Sequence, residues 1–156
     1  MNLLEERINN TENTITDIAL EEINMVTTDA IEKLKVKLAD NKVVSVILDN
    51  LKTVTPFFQS EWEEGSNLGY IYGFELETEY YEVSLILHQT ENYEFRDELT
   101  ELETFTELYC QLTDTPEDEV SENKMQDAYD LLSVEFMTTW HNLSEFTKNH
   151  YLRVLY

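Results

Sequence analysis

Apolar residues recur at three- and four-residue steps in the first part of the chain, which is the spacing of one face of an α-helix. This stripe predicts a helix over 15–38 and consists of Ile15, Ile18, Ala19, Ile23, Val26, Ala30, Ile31, Leu34 and Leu38. Leu4 and Ile8 continue the stripe toward the N-terminus, and a break is expected at Asn9 and Asn10.

The helical period returns in two later segments. One stripe follows Asp97 and consists of Leu99, Leu102, Phe105, Leu108, Tyr109 and Leu112. Another follows Ser121, a residue type that suits a helix N-cap, and consists of Met125, Ala128, Tyr129, Leu132, Phe136 and Trp140. The intervening "TDTPEDEV" is typical of a loop.

Two aromatic and β-branched segments predict strands. They read "LGYIYGFEL" and "YYEVSLILH", with acidic residues between them, so we expect an antiparallel hairpin at about 68–88. Two strands alone are only marginally stable, so helices must pack on one face or a third strand must join them. The C-terminal "YLRVLY" is a candidate for that third strand.

The segment between the first helix and the hairpin is ambiguous. Its apolar residues fit a helix after an Asp40 cap, but its β-branched run 43–47 also fits a buried strand, and we favour the helix. Thr55 and Pro56 then resemble an N-cap followed by proline at the first helical position, which predicts a short helix ending near Glu64.

These elements together predict an α+β fold, with several amphipathic helices packed on a small antiparallel sheet that contains the hairpin. The length of 156 residues suits a single compact domain over 1–156. Only three Gly and two Pro occur, which argues against a loop-rich all-β fold. No apolar run approaches the ~18 residues of a membrane-spanning helix.

Charge is concentrated in one part of the chain. The net charge is −23, and residues 61–119 hold 18 acidic residues against the single basic residue Arg96, a net charge of −17. A surface adapted uniformly to salt would not show this asymmetry. Such a charge disfavours direct binding of nucleic acid or of an anionic membrane, because both require positive charge, and it favours a strongly basic partner.

Acidic residues alternate with apolar ones in "FELETEYYE", residues 74–82, with no basic residue near them in the sequence. On a strand, alternate side chains share a face at a spacing of ~6.6–6.8 Å, so Glu75, Glu77 and Glu79 are expected to form a line of negative charge, on the scale of nucleic-acid phosphates. Phe74, Leu76 and Tyr80 would then face the core. The predicted partner-binding residues are Glu61, Trp62, Glu63, Glu64, Glu75, Glu77, Glu79, Glu82, Glu94, Asp97, Glu98 and Glu101.

Residue types that carry catalysis are scarce. The three histidines are His88, His141 and His150, and no His-Glu-x-x-His pair, Gly-rich phosphate loop or Gly-x-Ser-x-Gly motif occurs. The acidic "DTPEDE" lacks the ligand pattern and the central Gly of an EF-hand, so a solvated loop is the better interpretation. We therefore expect no enzymatic activity, no catalytic residue, no cofactor and no metal site. The single cysteine, Cys110, is expected to be a small buried residue.

Two partner classes fit an acidic surface with aromatic anchors. One is a nucleic-acid-binding enzyme whose basic groove is blocked by the chain, and the other is a basic toxin that the chain would neutralise as an immunity protein. Tyr and Trp commonly anchor interfaces, and several lie among the acids: Trp62, Tyr70, Tyr72, Tyr80 and Tyr81.

In its size and in the charge of residues 61–119, the chain resembles the small acidic inhibitors of phages and mobile elements, which include anti-restriction DNA mimics and several anti-CRISPR proteins. The resemblance implies inhibition of a bacterial defence nuclease, such as a CRISPR-Cas or restriction enzyme, or of its nucleoprotein complex. It also implies a place in the cytoplasm of a bacterial host and evasion of host defence. No residue is carried over from it, because it rests on overall character and not on a shared motif.

Overall fold

The computed structural model describes residues 3–62, 68–93 and 96–154, with side chains from Asn13 onward except that of Trp62. The elements in chain order are α1 (Leu3–Lys37), α2 (Lys42–Asp49), β1 (Thr53–Trp62), β2 (Leu68–Glu77), β3 (Glu82–Gln89), α3 (Glu98–Thr113), a short 3-10 helix (Glu117–Glu119), α4 (Glu122–Asn142) and α5 (Glu145–His150). The predicted α+β class is confirmed, since these helices accompany one three-stranded antiparallel sheet in the order β1-β2-β3.

Helix α1 runs without interruption through Asn9 and Asn10, so the predicted break is wrong. Asparagine in a helix costs less than about 1 kcal/mol relative to alanine, which does not end a helix in the absence of Gly or Pro. The buried face of α1 includes Ala19, Ile23 and Leu34, as the apolar stripe predicts.

The second helix is confirmed, but its cap lies one residue later than predicted. The side chain of Asn41, and not that of Asp40, accepts a hydrogen bond from the backbone N–H of Val44 at 3.1 Å. This start places Val43, Val44, Ile47 and Leu48 in the core, where all are buried. The helical period therefore outweighs the β propensity of the same residues.

The short helix predicted after Thr55 and Pro56 is wrong, because these residues lie in β1. Strand β1 pairs antiparallel with β2, Thr53 opposite Glu77 and Trp62 opposite Leu68. Proline is tolerated because β1 is an edge strand, where a missing N–H removes no hydrogen bond from an inner pairing.

The hairpin predicted at about 68–88 is confirmed as β2 and β3. The third strand is β1, so the prediction that "YLRVLY" supplies it is wrong: 151–154 form no strand, and Leu155 and Tyr156 lie outside the described residues. The reason is that both sides of the hairpin are occupied, β2 by β1 and the outer edge of β3 by helices.

One face of the sheet carries the main core. Phe74 lies 5.2 Å from Phe136 and 6.1 Å from Trp140 between ring centroids, and it is fully buried. The opposite face carries a smaller apolar cluster of Phe57, Ile71, Ile86 and Tyr93. Both faces of the sheet therefore bury side chains, and the loop that contributes Tyr93 covers part of the second face.

The outer edge of β3 is covered by side chains of α3 and α4. The hydroxyl of Tyr129 accepts a hydrogen bond from the N–H of Ile86 and donates one to the carbonyl of Ser84, both at 2.9 Å. A carboxylate oxygen of Glu101 accepts from the N–H of Ser84 at 3.0 Å. This cover satisfies backbone groups that would otherwise be available for pairing with another chain.

Gly73 allows a close approach between β2 and β3. A Cβ atom at this position would lie 2.0 Å from the carbonyl oxygen of Leu85, next to the register shift between Tyr72 and Gly73. We expect Gly73→Ala to lower the free energy of unfolding by more than about 2 kcal/mol, because backbone must move to admit the methyl group. Urea unfolding followed by circular dichroism measures this.

The matched control is Gly69→Ala, whose Cβ would lie 3.1 Å from the carbonyl oxygen of Asn92. This contact needs a shift of only a few tenths of an ångström, so a clearly smaller loss is expected. Equal effects of the two substitutions would contradict the predicted clash at Gly73.

Tyr129→Phe tests the cover of the β3 edge. The substitution keeps the buried ring but leaves the N–H of Ile86 without its acceptor, so we expect a loss of about 1–3 kcal/mol in the free energy of unfolding. The control is Tyr109→Phe, a buried tyrosine on α3, for which a loss below about 1 kcal/mol is expected. Similar losses in urea unfolding would refute a special role for the Tyr129 hydroxyl.

Candidate protein-binding surface

The strand register brings acidic residues together at one end of the sheet. Glu75 lies opposite Ser84, and Glu77 lies opposite Glu82. These four side chains belong to the face of the sheet that points away from the main core, since neighbouring Phe74 on the other face is fully buried. The pairing of Glu77 with Glu82 places two like charges side by side, which lowers stability.

Arg96 enters this group of acids from the loop after β3. Its Nη1 donates to Oε1 of Glu75 at 2.9 Å and to Oγ of Ser84 at 2.8 Å, and Oγ of Ser84 in turn donates to Oε2 of Glu75 at 2.7 Å. The guanidinium carbon lies 4.9 Å from the centre of the Phe57 ring, in the range of a cation–π contact. Arg96 is therefore held by an acid, a hydroxyl and an aromatic ring.

Two carboxyl groups near Arg96, those of Glu82 and Glu101, have raised pKa values. Burial raises the pKa of Glu101 above its usual value, although the hydrogen bond from Ser84 and the charge of Arg96 oppose this. A hydrogen bond to Glu75, followed by burial and by the charges of Glu75 and Glu77, raises the pKa of Glu82. Burial therefore makes Glu101 a weaker acid, and the contact with Glu75 does the same for Glu82.

The row predicted along one strand is only partly present. Glu75 is half-buried and hydrogen-bonded to Arg96. No basic residue lies near Glu75 in the sequence, but the loop after β3 brings Arg96 to it from 21 positions away. Glu79 lies beyond the end of β2, so it does not continue the line of Glu75 and Glu77. This face of the sheet therefore does not present a linear series of phosphate-like charges along β2.

The turn between β2 and β3 exposes aromatic residues next to the acids. Oγ1 of Thr78 accepts from the N–H groups of Tyr80 and Tyr81 and donates to the carbonyl of Tyr81, which fixes the turn. Tyr80 is 51% exposed and Tyr81 is 37% exposed, so the prediction that Tyr80 faces the core is wrong. The reason is that the strand alternation ends at Glu77, three residues before Tyr80.

Tyr70 and Tyr72 are part of the packing on the helical side of the sheet. The ring of Tyr72 stacks on Trp140 with centroids 4.5 Å apart, and Tyr70 stacks on Phe58 at 5.7 Å. Both tyrosines are half-buried. Among the described residues, the aromatic side chains available to a partner at this end of the sheet are therefore Tyr80 and Tyr81.

Helix α3 adds acids to the same end of the sheet. Asp97 is its N-cap, and its side chain accepts from the N–H of Thr100 at 2.7 Å. Glu98 follows in the first turn and is exposed, and both acids suit the positive end of the helix dipole. We call the group formed with them the acidic surface, which comprises Glu75, Glu77, Glu79, Glu82, Asp97, Glu98 and Glu101.

Of the remaining predicted residues, only Glu61 has a described side chain, and it is not part of this surface. Glu61 is exposed but lies eight positions along β1 from Thr53, the partner of Glu77, so roughly 27 Å of strand separates it from the acidic surface. Trp62 ends β1, and its side chain lies outside the described part of the chain, as do Glu63, Glu64 and Glu94 entirely.

The acids of residues 61–119 are almost all exposed. Of the fifteen whose side chains are described, thirteen are exposed, and only Glu75 and Glu101 are half-buried. Seven of the exposed acids lie outside the predicted set, although the charge asymmetry already pointed to their segment: Glu91, Glu103, Glu107, Asp114, Glu117, Asp118 and Glu119. The segment therefore presents negative charge over a wide area.

No protein-family model, no curated protein and no solved structure matches the chain. The fold and the surface therefore have to be interpreted from their own geometry. Within 3–62, 68–93 and 96–154, no group of three or more His, Cys, Asp or Glu side chains is placed to hold a metal ion. None of the helices in those residues combines the length and the apolar character that crossing a membrane requires.

Sequence reasoning missed the pairing of Arg96 and Ser84 with Glu75. One signal existed, because Arg96 is the single cation in a segment of 18 acids and directly precedes the N-cap of α3. Which carboxylate it would bind depended on the path of the loop from β3 to α3. Two hydrogen bonds hold that path, from Nε2 of Gln89 to the carbonyls of Tyr93 and Arg96.

The raised pKa values predict that stability falls with increasing pH. For Glu82 and Glu101 the folded pKa lies above the unfolded value of about 4.5, so their contribution is fully present below pH 4.5 and is lost as the pH rises through the folded pKa. Urea unfolding at successive pH values above 4.5 should therefore show a decreasing free energy of unfolding.

Glu82→Gln should make this decrease shallower, because glutamine keeps a polar side chain there and does not ionise. The control is Glu91→Gln, an exposed acid on the loop after β3, which should leave the slope unchanged. A wild-type slope in Glu82→Gln would show that Glu82 does not cause the dependence.

Glu22 has the opposite effect on the pH dependence of stability. Burial opposes its ionisation, but hydrogen bonds from Ser144 and Thr147 lower its pKa, so its contribution to stability is lost as the pH falls below 4.5.

Proposed function

We propose that the chain is a non-enzymatic inhibitor that binds a basic surface of a nucleic-acid-binding enzyme, such as a CRISPR-Cas or restriction nuclease, and blocks its activity. The observation that carries this proposal is the exposure of thirteen acids in residues 61–119, in a segment whose one cation is already bound to Glu75. A surface without a specific partner normally mixes charges of both signs.

Outside residues 61–119, by contrast, lysines form salt bridges with acidic residues. Lys33 pairs with Asp29 at 2.9 Å, Lys35 pairs with Asp49 at 3.7 Å, and Lys37 pairs with Glu135. Cations and acids are therefore mixed along α1 and its neighbours. The absence of such mixing in the described residues of 61–119 leaves a field that attracts and orients a basic partner.

The geometry favours blocking by overall charge and not by one phosphate-like row. The acidic surface spans the ends of β2 and β3, their turn and the start of α3, so its charges are spread in two dimensions. Tyr80 and Tyr81 lie among these charges with 51% and 37% of their surface exposed, which suits them as anchors in the contact. A groove that binds a phosphate backbone offers cations over a comparable area.

Charge reversal tests the proposal. The triple variant Glu77→Lys, Glu79→Lys and Glu98→Lys changes three exposed acids of the acidic surface. We expect it to reduce the association rate with the partner by about tenfold at low salt and to flatten the salt dependence of binding. The partner is obtained by capture from a bacterial lysate on the immobilised chain, and its nucleic-acid cleavage is measured with and without the chain.

The control is the triple variant Asp17→Lys, Glu21→Lys and Glu32→Lys on α1, whose three positions are also exposed and whose change in net charge is identical. It should bind with less than about a twofold loss. Equal losses in both variants would mean that net charge alone matters, and full inhibition by the first variant would remove the acidic surface from the mechanism. Capture of a basic toxin without nucleic-acid substrate would favour the immunity-protein alternative.

A further inference from the structure

A groove with a volume of 760 Å³ lies between α3 and the start of α4, outside the acidic surface defined above. The loop that carries the 3-10 helix closes one side of it. Side chains of both helices and of that loop line the groove, and they divide into an apolar part and a charged rim.

The apolar part of the groove includes a large side chain that the fold leaves in solvent. Leu99 is 67% exposed, although it lies on the apolar stripe of α3. Leu102 and Val120 are half-buried beside it, and Met125 is 2% exposed. A partner that covers Leu99, Leu102 and Val120 would therefore gain from the removal of apolar surface from water.

The rim of the groove carries one sign of charge. Five exposed carboxylates line it, and no Lys, Arg or His is among the lining residues: the acids are Glu103, Glu107, Glu117, Asp118 and Glu122. In the described part of the chain, none of these acids forms a salt bridge. The negative charge along the groove is therefore unbalanced.

A second groove, between α1 and α4, lacks this combination. The groove between α1 and α4 has a volume of 440 Å³ and is also partly apolar. Its cation Lys33 is already paired with Asp29, and its acid Glu135 is paired with Lys37. The charges of this groove are balanced within the chain, so the groove would not favour a basic partner over an acidic one.

We infer that the groove between α3 and α4 binds a basic amphipathic segment of the partner, with apolar side chains on Leu99, Leu102 and Val120 and with lysines or arginines facing the carboxylate rim. This inference rests on the proposed function in one respect, because it takes the inhibited protein as the source of the basic segment. A helix is the secondary structure that presents an apolar stripe and flanking cations together in a groove. Leu99 directly follows Glu98, so the segment would continue the contact made by the acidic surface.

The probe is a fluorescein-labelled peptide of about 15 residues, composed of lysine and leucine with leucines at helical spacing. The control peptide has the same composition with the leucines redistributed so that no apolar face forms. Fluorescence anisotropy at moderate salt with the full chain should give a dissociation constant about tenfold lower for the amphipathic peptide than for the control peptide. Equal affinities would overturn the inference, because charge alone would then explain the binding.

Paired variants locate the peptide. Glu103→Gln with Glu107→Gln removes two rim charges and should weaken binding of the amphipathic peptide about tenfold, while Glu21→Gln with Glu32→Gln on α1 should change it less than twofold. Leu99→Ser should weaken binding about fivefold, and Val134→Ser, which changes a 69% exposed valine on α4, should not. Equal losses within either pair would place the peptide elsewhere and overturn the inference.

The outcomes also separate this inference from the proposed function. Selective binding of the amphipathic peptide, together with no captured nucleic-acid-binding enzyme, would support the groove and refute the inhibitor function. Inhibition that depends on Glu77, Glu79 and Glu98, together with equal binding of both peptides, would support the function and refute the groove. Circular dichroism confirms that each variant is folded before its affinity is compared.

Discussion

The position of the loop after β3 depends on the contact of Arg96 with Glu75 and Ser84. The guanidinium neutralises a half-buried carboxylate on the sheet, and it lies on the ring of Phe57 at the same time. Because Arg96 directly precedes the N-cap Asp97, this contact also fixes the residue next to the start of α3. The same loop brings Tyr93 over the smaller apolar cluster, so one cation links the sheet, its second face and the helix that follows.

The fold places apolar side chains in the core and most acidic side chains at the surface, so the repulsion between carboxylates acts mainly at the surface. The side chains between the sheet and the helices are apolar or hydrogen-bonded, and no buried side-chain N or O atom in the described part of the chain lacks a partner. The acids of 61–119 that are described lie outside this packed region, apart from the half-buried Glu75 and Glu101. Repulsion among exposed charges is weakened by water and salt, so the core tolerates a charge of −23.

The proposed basic partner would contact two features of the surface. Leu99 lines the carboxylate-rimmed groove and directly follows Glu98 of the acidic surface. Both features present negative charge beside exposed apolar or aromatic side chains. Charge steers the approach of a partner over long distances, and apolar contact determines how long the complex lasts. The described surface thus combines widespread negative charge with exposed apolar and aromatic side chains.

The amino-acid sequence by itself determined the fold class, the hairpin over 68–88, the helices after Asp97 and Ser121, and the segment that carries the charge. Those features follow from local periodicity and from composition, which do not need distant residues. The tertiary structure alone decided that Pro56 lies in an edge strand, that Tyr80 points to solvent, and that Arg96 reaches Glu75. The physical reason is that each of these features depends on residues far apart in the chain. Whether a segment forms a strand depends on the strand that pairs with it, and the exposure of a turn side chain depends on where that pairing ends. Which carboxylate an arginine binds depends on the path of the loop that carries it.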